Sequence, residues 1–561
     1  MYDYVTHKEL FTIINTQNKI ADKSESSMCL TLLFNQIGLI YFQINIMKKS
    51  TFTLFLATFL LCLVQLQAQT FNITNYGAVG DGTTLNTQSV QKTIDACFNA
   101  GGGKVIVPTG VFLIGTIYLK SNIHLYLEPG AILRGSSNID DYAPYNEVHY
   151  GMIYAENAEN ITISGSGNID GNGDLFFDLT HAKKIDSAGT QYTRQKEDFR
   201  KVTDGGLGDG PIVPKIRPYQ MFIFSSCKRV TLKDIFISKP PFWTMLFVDC
   251  DGVLVDGIRL WTNILAPNAD GIDIASCNNV IISNSDIRSG DDAIAIVGYS
   301  SHFESPGFKK LRHNSGNIVV TGCNLQSYSS GIRIGYLDQN TVRNINISNC
   351  TITNSTRGIG IFLRDEGSLE NINVSNVNID TKLRTGDWWG NGEPIHISAI
   401  RGKDGVKLGK IKNVKFDNIT CKGENGILVY GNEESVIENV SFNHVTFELT
   451  DSKLNDVAGG NIDLRGCSDP KSQLFKHDIP AFFADHVNGI TIDDFRLEWT
   501  GTRMPYFTNG IEVSNFSGLR ISDFNGTASP INKAAFRVYL ENGKQVSIDT
   551  KTGVKEINIA K

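Results

Sequence analysis

The chain has 561 residues, with 52 Lys and Arg against 58 Asp and Glu, and its formal net charge is only −6. Nucleic-acid-binding proteins typically have a strongly basic surface, which this nearly balanced charge does not indicate, so we predict no nucleic-acid partner. The 53 glycines and the recurrent asparagines favour many short strands joined by turns, in one large domain or several.

The first recognisable segment is a targeting signal that begins at Met47. Residues 47–50 form a short basic start, residues 51–64 are apolar, and residues 65–68 end in the small residue Ala68. This order is that of a secretory signal peptide, and the apolar run is too short for a membrane-spanning helix. We predict a signal peptide at 47–68, an upstream extension at 1–46 outside the mature protein, and a secreted or periplasmic mature chain without membrane association.

The next segment, residues 69–144, is predicted to cap the fold and form its first coils. Residues 87–100 read as a helix, with the apolar residues Val90, Ile94 and Cys97 on one side, and residues 103–108 read as a strand. A helix at this position would cover the unpaired backbone groups at the open end of a repeat structure.

A repeated pattern organises most of the remaining chain. In each repeat, two polar or small residues, the second of which is often Asn or Gly, precede a Val or Ile that we call the anchor. Apolar and polar residues then alternate along the strand. The clearest anchors are Val230, Val253, Val280, Ile318, Ile345, Ile372, Val414 and Val440. A spacing within the roughly 20–50-residue range of solenoids indicates stacked coils that bury their apolar faces against one another. We predict an all-β, single-stranded right-handed parallel β-helix over 69–561; an antiparallel sandwich would not require a fixed period.

Cysteines recur at equivalent positions of this repeat. Cys227, Cys250 and Cys277 each stand three residues before an anchor, and Cys323 and Cys350 each stand five after one. Stacked equivalent positions suit small buried apolar side chains, so we expect inert thiols rather than a disulfide framework or a metal centre.

Aligning the strand before each anchor places polar residues in two outward files. The first file contains Gln220, Trp243, Asp270, Asp292, Ser330, Arg357, Glu393 and Asn425, and the second contains Leu246, Asp273, Ala295, Arg333, Gly360, His396 and Leu428. Such files form a groove suited to a charged, flat ligand. Candidate ligand contacts are Trp243, Asp273, Ser330, Arg333, Arg357, Glu393 and His396.

Three aspartates of this groove are candidate catalysts. Asp270 and Asp292 would be neighbours on adjacent coils, with Asp291 beside them. Mutual repulsion should raise at least one carboxyl pKa, which supplies a proton donor while the other carboxylates activate water. Glycoside hydrolysis needs this division of labour, and we predict no cofactor. A solvated acidic cluster or a set of calcium ligands is the alternative.

The same residues carry a family resemblance. Asn268-Ala269-Asp270 and Gly290-Asp291-Asp292 resemble the signature of the polygalacturonases, glycoside hydrolase family 28, and residues 76–82 are similar to the opening of pectin-degrading β-helix proteins. The resemblance extends from about residue 70 to at least 378. It implies inversion at the anomeric carbon without a metal, with Asp291 as general acid and Asp270 and Asp292 holding and deprotonating water.

Two family motifs are altered in this chain. The histidine of the family's Gly-His-Gly motif is replaced by Ser330, and the Arg-Ile-Lys motif, which holds the substrate carboxylate, is replaced by Gly360, Ile361 and Phe362. Arg333 and Arg357 could bind a carboxylate or sulfate instead, or could simply pair with the acidic residues. Galacturonan, rhamnogalacturonan and other uronate- or sulfate-bearing glycans therefore stay open as substrates.

Two inserted loops could shape the groove. Residues 298–315 contain His302, Lys309, Lys310, Arg312 and His313, which would either overhang the groove or form a solvated basic loop. Trp388 and Trp389 lie in the second insertion and could contact sugar rings or plug the coil surface. Such loops could close one end of the groove and favour exo action.

Two other functions are open for this architecture. A polysaccharide lyase of the same fold would use Ca²⁺ and an Arg or Lys base. A non-catalytic glycan-binding β-helix would not need the three carboxylates. Our prediction is a secreted hydrolase acting on an acidic, pectin-like polysaccharide; the sequence does not indicate its oligomeric state.

Overall fold

A computed structural model describes residues 69–183, 194–195, 207–208, 210–299, 315–337, 340–549 and 552–560. Residues Gln69–Lys561 form one compact unit. The predicted extension at 1–46 and signal peptide at 47–68 lie outside the described residues, and so do residues 300–314 of the first inserted loop.

Parallel strands wind through this unit in successive coils and join one 35-stranded sheet. The predicted parallel β-helix is therefore confirmed. Each full coil gives one strand to each of three ladders, which we call the site ladder, the anchor ladder and the third ladder. The site ladder contains Ile117–Tyr118, Ile153–Glu156, Phe222–Ser225, Met245–Val248, Ile272–Ala275, Ile294–Val297, Ser330–Ile334, Arg357–Leu363, Ile395–Ala399 and Ile427–Tyr430.

The anchor and third ladders complete the coils. The anchor ladder contains Thr70–Asn72, Gly103–Val107, Ile123–Leu127, Glu159–Gly165, Lys228–Lys233, Asp251–Asp256, Asn278–Ser283, Ser315–Thr321 and Val342–Ser348. The third ladder contains Asp81–Leu85, Gly110–Ile114, Ala131–Gly135, Asn168–Asp170, Phe236–Ser238, Arg259–Trp261, Asp286–Ser289, Asn324–Ser327 and Thr351–Ser355.

Longer strands build the C-terminal coils by bending from one ladder into the next. They are Leu369–Thr381, Ile411–Gly423, Ile437–Thr450, Phe482–Thr500, Ile511–Ser522, Val538–Ile548 and Val554–Ala560. In the described part of the chain, three antiparallel pairs lie outside the coils: Pro144–Tyr145 with Val148–His149, Phe177–Ala182 with Ile212–Pro214, and Asn461–Asp463 with Leu474–Lys476. Short 3₁₀ helices span Ile73–Tyr76, Ile139–Asp141 and Gly173–Phe176.

A helix closes the first coil, as the sequence predicts. Helix α1 spans Thr87–Asn99 and buries Val90, Ile94 and Cys97. It packs against the 3₁₀ turn Ile73–Tyr76 and the first strands of the anchor ladder. Its apolar side thereby covers the core at the open end of the solenoid. Two further helices of four residues each are α2, Asn455–Ala458, and α3, Pro470–Gln473.

The recurrent asparagine before each anchor has a conformational cause. Asn279, Asn317, Asn344 and Asn371 have φ values of 57°, 56°, 58° and 57°, which asparagine tolerates better than most residues. Their side-chain amides also donate to one another along the stack, with Asn344 Nδ2 3.1 Å from Asn317 Oδ1. The repeat seen in the sequence is thus the corner at which each coil bends.

The core is a continuous apolar column inside the coils. Eight cysteines lie within the described residues, and all of them are free and buried: Cys97, Cys227, Cys250, Cys277, Cys323, Cys350, Cys421 and Cys467. Burial raises the pKa of Cys97 to about 11, which leaves its thiol protonated and unreactive at neutral pH.

Among the described residues, no helix combines the length and apolar character needed to cross a bilayer.

Candidate active site

The three candidate aspartates converge on the outer side of the site ladder. Ile272 pairs with Ile294 across neighbouring coils, so Asp270 and Asp292 hold equivalent places, and Asp291 precedes Asp292. One carboxylate oxygen from each of the three lies within 4.8 Å of the other two. The register predicted from the alternation of the strands is therefore the observed one.

Among the three candidate aspartates, Asp292 has the most hydrogen-bond donors. Its Oδ1 accepts from Ser329 Oγ at 2.8 Å and from the Ser330 backbone N–H at 2.9 Å, and its Oδ2 is paired with Arg333 Nε. Burial alone would raise the pKa of Asp292, but Arg333 and these donors outweigh it, and the pKa lies below its usual value. Asp292 is therefore ionised at neutral pH.

Asp291 has a different environment although it is the adjacent residue. Its carboxylate accepts two backbone N–H groups, from Asp292 at 3.0 Å and from Asn268 at 3.3 Å. Burial, followed by repulsion from Asp292, raises the pKa of Asp291 to about 7. Its backbone carbonyl is held by Ser289 Oγ at 2.5 Å and Ser327 Oγ at 2.6 Å. A proton donor is thus fixed beside an ionised carboxylate.

Asp270 and Asp273 complete the acidic cluster. Burial raises the pKa of each well above its usual value, and the other aspartates add repulsion. Within the described part of the chain, Asp270 Oδ1 and Asp273 Oδ2 have no hydrogen-bond partner. Buried polar atoms without partners are rare in folded proteins, and at an active site they indicate groups that meet a ligand or water.

Arg217 supports the cluster from a position that sequence reasoning missed. Its guanidinium donates to the carbonyls of Pro241 at 3.0 Å and Pro267 at 3.1 Å, and to Asn268 Oδ1 at 3.1 Å. Burial lowers the pKa of Arg217 to about 10, against the attraction of Asp270. Arg217 thereby holds the turn before Asp270. It precedes the first aligned coil strand, so the repeat gave no signal for it.

A second buried charge group lies one and two coils beyond Ser330. Arg357 Nε donates to Glu393 Oε1 at 2.7 Å, and His396 Nδ1 lies 3.0 Å from the same oxygen. Burial lowers the pKa of His396 to about 4, so the imidazole is neutral at neutral pH. Both candidate arginines are thus paired with carboxylates, Arg333 with Asp292 and Arg357 with Glu393.

The candidate tryptophans differ in exposure. Trp243 is 8% exposed and stacks on Phe242, with ring centroids 5.7 Å apart. Trp388 is 2% exposed and packs edge-on against Tyr328, which matches the plug alternative and leaves little surface for a sugar. Trp389 is half-buried and lies near Tyr336, at a centroid distance of 6.3 Å. Trp389 is therefore the better of the two adjacent tryptophans for a sugar contact.

A lobe that the sequence did not predict covers the far end of the groove. We call residues 451–480 the C-terminal lobe; it contains α2, α3 and the pair Asn461–Asp463 with Leu474–Lys476. Arg364 donates to the Gly466 carbonyl at 3.0 Å, and Asn391 Nδ2 donates to the Asn461 carbonyl at 3.3 Å. The lobe thus lies over Glu393 and His396, which are 4% and 0% exposed.

The residues of the predicted groove are consequently less exposed than those on the open face of a sheet. They point away from the coil interior as predicted, yet Asp270 and Asp292 are only 3% and 4% exposed, while Asp291 retains 8%. Ser329 and Arg333 contact Asp292, and Asn268 contacts Asp291; residue alternation within a strand carries no information about such contacts. The basic residues expected to overhang the groove, His302, Lys309, Lys310, Arg312 and His313, lie outside the described residues.

The cluster of Asp270, Asp291 and Asp292 also has the composition of a cation site. Both oxygens of Asp292 already have donors, however, and the Arg333 guanidinium occupies the place of a counter-charge. The geometry favours proton transfer over coordination of a divalent ion, because Asp292 would have to release Arg333 to bind one.

Comparison with known proteins agrees with the sequence motifs. The family model described as glycosyl hydrolases family 28 matches residues 97–461. The exo-poly-alpha-D-galacturonosidase of Dickeya chrysanthemi is 29% identical over 287 residues, covering 44% of this chain and 47% of that protein. A probable polygalacturonase of Vitis vinifera is 27% identical over 250 residues, covering 42% of this chain and 45% of that protein. The chain thus spans about half the length of these curated relatives.

The fold has a solved counterpart. The family 28 exopolygalacturonase of Yersinia enterocolitica superposes with a TM-score of 0.57 at 18% identity, covering 81% of this chain and 78% of that one. At this level of identity, the likeness concerns the fold, a parallel β-helix.

Proposed function

The chain belongs to glycosyl hydrolases family 28, and on that premise we propose that it hydrolyses glycosidic bonds of an acidic, pectin-like polysaccharide by acid–base catalysis. The observation that carries the proposal is the pair Asp291 and Asp292. These adjacent carboxyl groups have pKa values shifted in opposite directions, so one donates a proton while the other accepts one.

Asp291 is the proposed general acid. With a pKa of about 7, it keeps its proton in mildly acidic solution and can transfer it to the glycosidic oxygen as the carbon–oxygen bond breaks. Its clamped backbone carbonyl and its greater exposure relative to Asp270 and Asp292 support this role.

Asp292 is the proposed general base. It is ionised and oriented by Arg333, so it can accept a proton from the water whose oxygen bonds to the anomeric carbon. Asp270, with its raised pKa and its unpartnered Oδ1, would hold that water by hydrogen bonding rather than deprotonate it. After product release, proton exchange with solvent returns Asp291 and Asp292 to their starting states.

This assignment makes hydrolysis inverting, which needs a direct test. The two catalytic carboxyl groups are roughly 6.5–9.5 Å apart in inverting glycosidases and about 5–5.5 Å apart in retaining ones. One carboxylate oxygen of each aspartate lies within 4.8 Å of the other two, so the three groups are close enough to act on one glycosidic bond and one water. The roles proposed for Asp270 and Asp292 require the water to bind between them on the face opposite Asp291.

We expect cleavage to occur near a free end of the polysaccharide chain. The C-terminal lobe covers the groove over Glu393 and His396, which supports cleavage near one chain end rather than at random internal bonds. Trp389, half-buried at the edge of this cover, would contact a sugar ring through its apolar face.

A polysaccharide lyase is the second candidate, because Asp270, Asp291 and Asp292 have the composition of a cation site. Lyase chemistry would leave an unsaturated product that absorbs in the ultraviolet and would depend on added Ca²⁺.

Export by the predicted signal peptide at 47–68 is part of our proposal, and N-terminal sequencing of protein recovered outside the cytoplasm tests it.

The test of function is hydrolysis of polygalacturonate by purified protein. Expected results are new reducing ends, no ultraviolet-absorbing product, and activity that persists in a chelator. Proton NMR of the first products gives the anomeric configuration. Asp291→Asn should abolish turnover, whereas the control Asp251→Asn, which changes an acid on the anchor ladder, should not. Full activity of Asp291→Asn would refute the proposal.

A further inference from the structure

Two buried donors without partners lie in one file of the groove. Ser330 pairs with Arg357 in the register of neighbouring coils, whose strands are about 4.8 Å apart. Ser330 Oγ and Arg357 Nη2 are buried, and within the described ranges neither has a hydrogen-bond partner. Ser330 also touches the catalytic cluster, because its backbone N–H donates to Asp292.

Such donors are costly in the unliganded protein. A buried donor without a partner costs about 1–3 kcal/mol, and a charged donor costs more. Ser330 could avoid this cost as alanine, and Arg357 could avoid it as an apolar residue. A ligand that accepts from both donors explains why these residue types are present.

The orientation of Arg357 is fixed by its neighbours. Its Nε is held by Glu393 at 2.7 Å, and its guanidinium carbon lies 4.7 Å from the Phe362 ring centroid. A Cβ at Gly360 would lie 2.5 Å from the Phe362 ring and 3.2 Å from Arg357 Cδ. The Phe362 ring and the Arg357 stem therefore fill the space above Gly360, where the family motif would have its own arginine.

The ion pair with Glu393 uses only part of the guanidinium fork. Glu393 Oε1 accepts from Nε, and its Oε2 accepts from the Asn391 backbone N–H at 2.5 Å. The remaining Nη2 donor is charge-assisted and planar with the rest of the fork. Together with the Ser330 hydroxyl it offers two donors to two acceptor oxygens.

We propose that Ser330 Oγ and Arg357 Nη2 bind the carboxylate of a uronate residue next to the cleaved bond. This inference rests on the proposed hydrolase function and deepens it. Arg357 is then a specificity-determining residue that performs the task of the altered Arg-Ile-Lys motif from an earlier position on the same strand, Arg357–Leu363. Glu393 and Phe362 position its guanidinium.

The experiment compares two oligosaccharides that differ only at the carboxyl group. Oligogalacturonate is one substrate, and the same oligomer with each carboxyl reduced to a primary alcohol is the other. The ratio of their kcat/KM values measures recognition of the carboxylate. For the native protein we expect this ratio to favour the acid by about 10²-fold or more, as for sites that hydrogen-bond a particular substrate group.

Two variants then locate the recognition. The double variant Arg357→Gln/Glu393→Gln removes both members of the ion pair, so no buried charge is left alone, and it should lower the ratio at least about tenfold. Ser330→Ala removes one hydroxyl with minimal change in volume and should lower the ratio by roughly fivefold. If the double variant does not fold, Ser330→Ala alone decides the matter.

A matched control is the exposed pair Arg229 and Glu159 on the anchor ladder, whose ion pair measures 2.6 Å. Arg229→Gln/Glu159→Gln should leave the ratio unchanged. The inference is overturned if the native protein cleaves both oligomers equally well, or if Ser330→Ala and the double variant retain the native ratio. If the native protein cleaves neither oligomer, the proposed function itself fails, and that outcome is distinct from lost discrimination.

Discussion

Asp291 and Asp292 are consecutive in the chain, yet only Asp292 is paired with Arg333, and the two carboxyl groups differ in protonation at mildly acidic pH. The difference arises because Asp292 also receives Ser329 and the Ser330 backbone, whereas Asp291 has only backbone donors and a charged neighbour.

This relationship predicts the alkaline limb of the pH–rate profile. The value of kcat/KM should fall as the pH rises through about 7, because Asp291 then loses the proton it must donate. On the acid side, activity should persist until Asp292 becomes protonated below its usual range. Initial rates on oligogalacturonate between about pH 3 and pH 9 provide the measurement. A flat profile from neutral to alkaline pH would contradict the role of Asp291.

Stability should respond in opposite directions to neutralising the two aspartates. The pKa of Asp291 is raised to about 7 in the folded protein, so stability falls as the pH rises from the usual carboxyl range to about 7 and stays at that lower level above it. Asp291→Asn should therefore raise the melting temperature most at about pH 8 and less at about pH 5.

Asp292→Asn should do the reverse. It leaves Arg333 buried without its carboxylate, at a cost of about 3–5 kcal/mol. Since the folded pKa of Asp292 is lowered, this cost is fully present at neutral pH and shrinks as the pH falls through the folded pKa. Thermal unfolding of both variants at the two pH values checks the pair; shifts of equal sign at pH 8 would argue against this electrostatic picture.

Catalysis should fail in each of the three aspartate variants. Asn at position 291, 292 or 270 removes the proton donor, the base or the water contact, respectively, and general acid–base catalysis contributes about 10²–10⁴-fold in rate. Turnover of oligogalacturonate is measured against Asp251→Asn as the control. Retention of binding, followed by calorimetry, separates lost chemistry from lost fold.

Substitution of Trp388 should mainly lower stability, whereas substitution of Trp389 should mainly weaken substrate binding. Trp388→Ala should destabilise the fold by about 3–5 kcal/mol, because it empties a buried site against Tyr328. Trp389→Ala should raise KM more than it changes the melting temperature, because the half-buried ring loses a sugar contact. Equal effects of both substitutions on KM would count against this division.

The covered end of the groove predicts the order of product release. If the C-terminal lobe blocks the path over Glu393 and His396, short products should appear first while long chains shorten slowly. Chromatography of early digests of polygalacturonate provides the measurement. Rapid loss of viscosity with long intermediates would instead indicate internal cleavage.

The sequence predicted the solenoid and the register of its catalytic strand well. Period-two alternation and the asparagine corners are local properties, so Asp270, Asp292, Ser330 and Arg357 could be aligned without a structure. Asp291 followed from its place beside Asp292, and the family resemblance then implied its role as general acid.

Other features could not be predicted, because they depend on contacts between distant segments. The supporting Arg217 and the cover provided by the C-terminal lobe come from irregular segments outside the repeat. Burial of Trp388 has the same cause, since its neighbour Tyr328 lies on an earlier coil.

The eight buried free thiols have a practical consequence. No covalent cross-link joins the coils through these residues, so the folded chain should be equally stable in oxidising and reducing media. A thiol reagent would then modify the cysteines only as coils open, and the order of labelling along the column would record where the solenoid unwinds first.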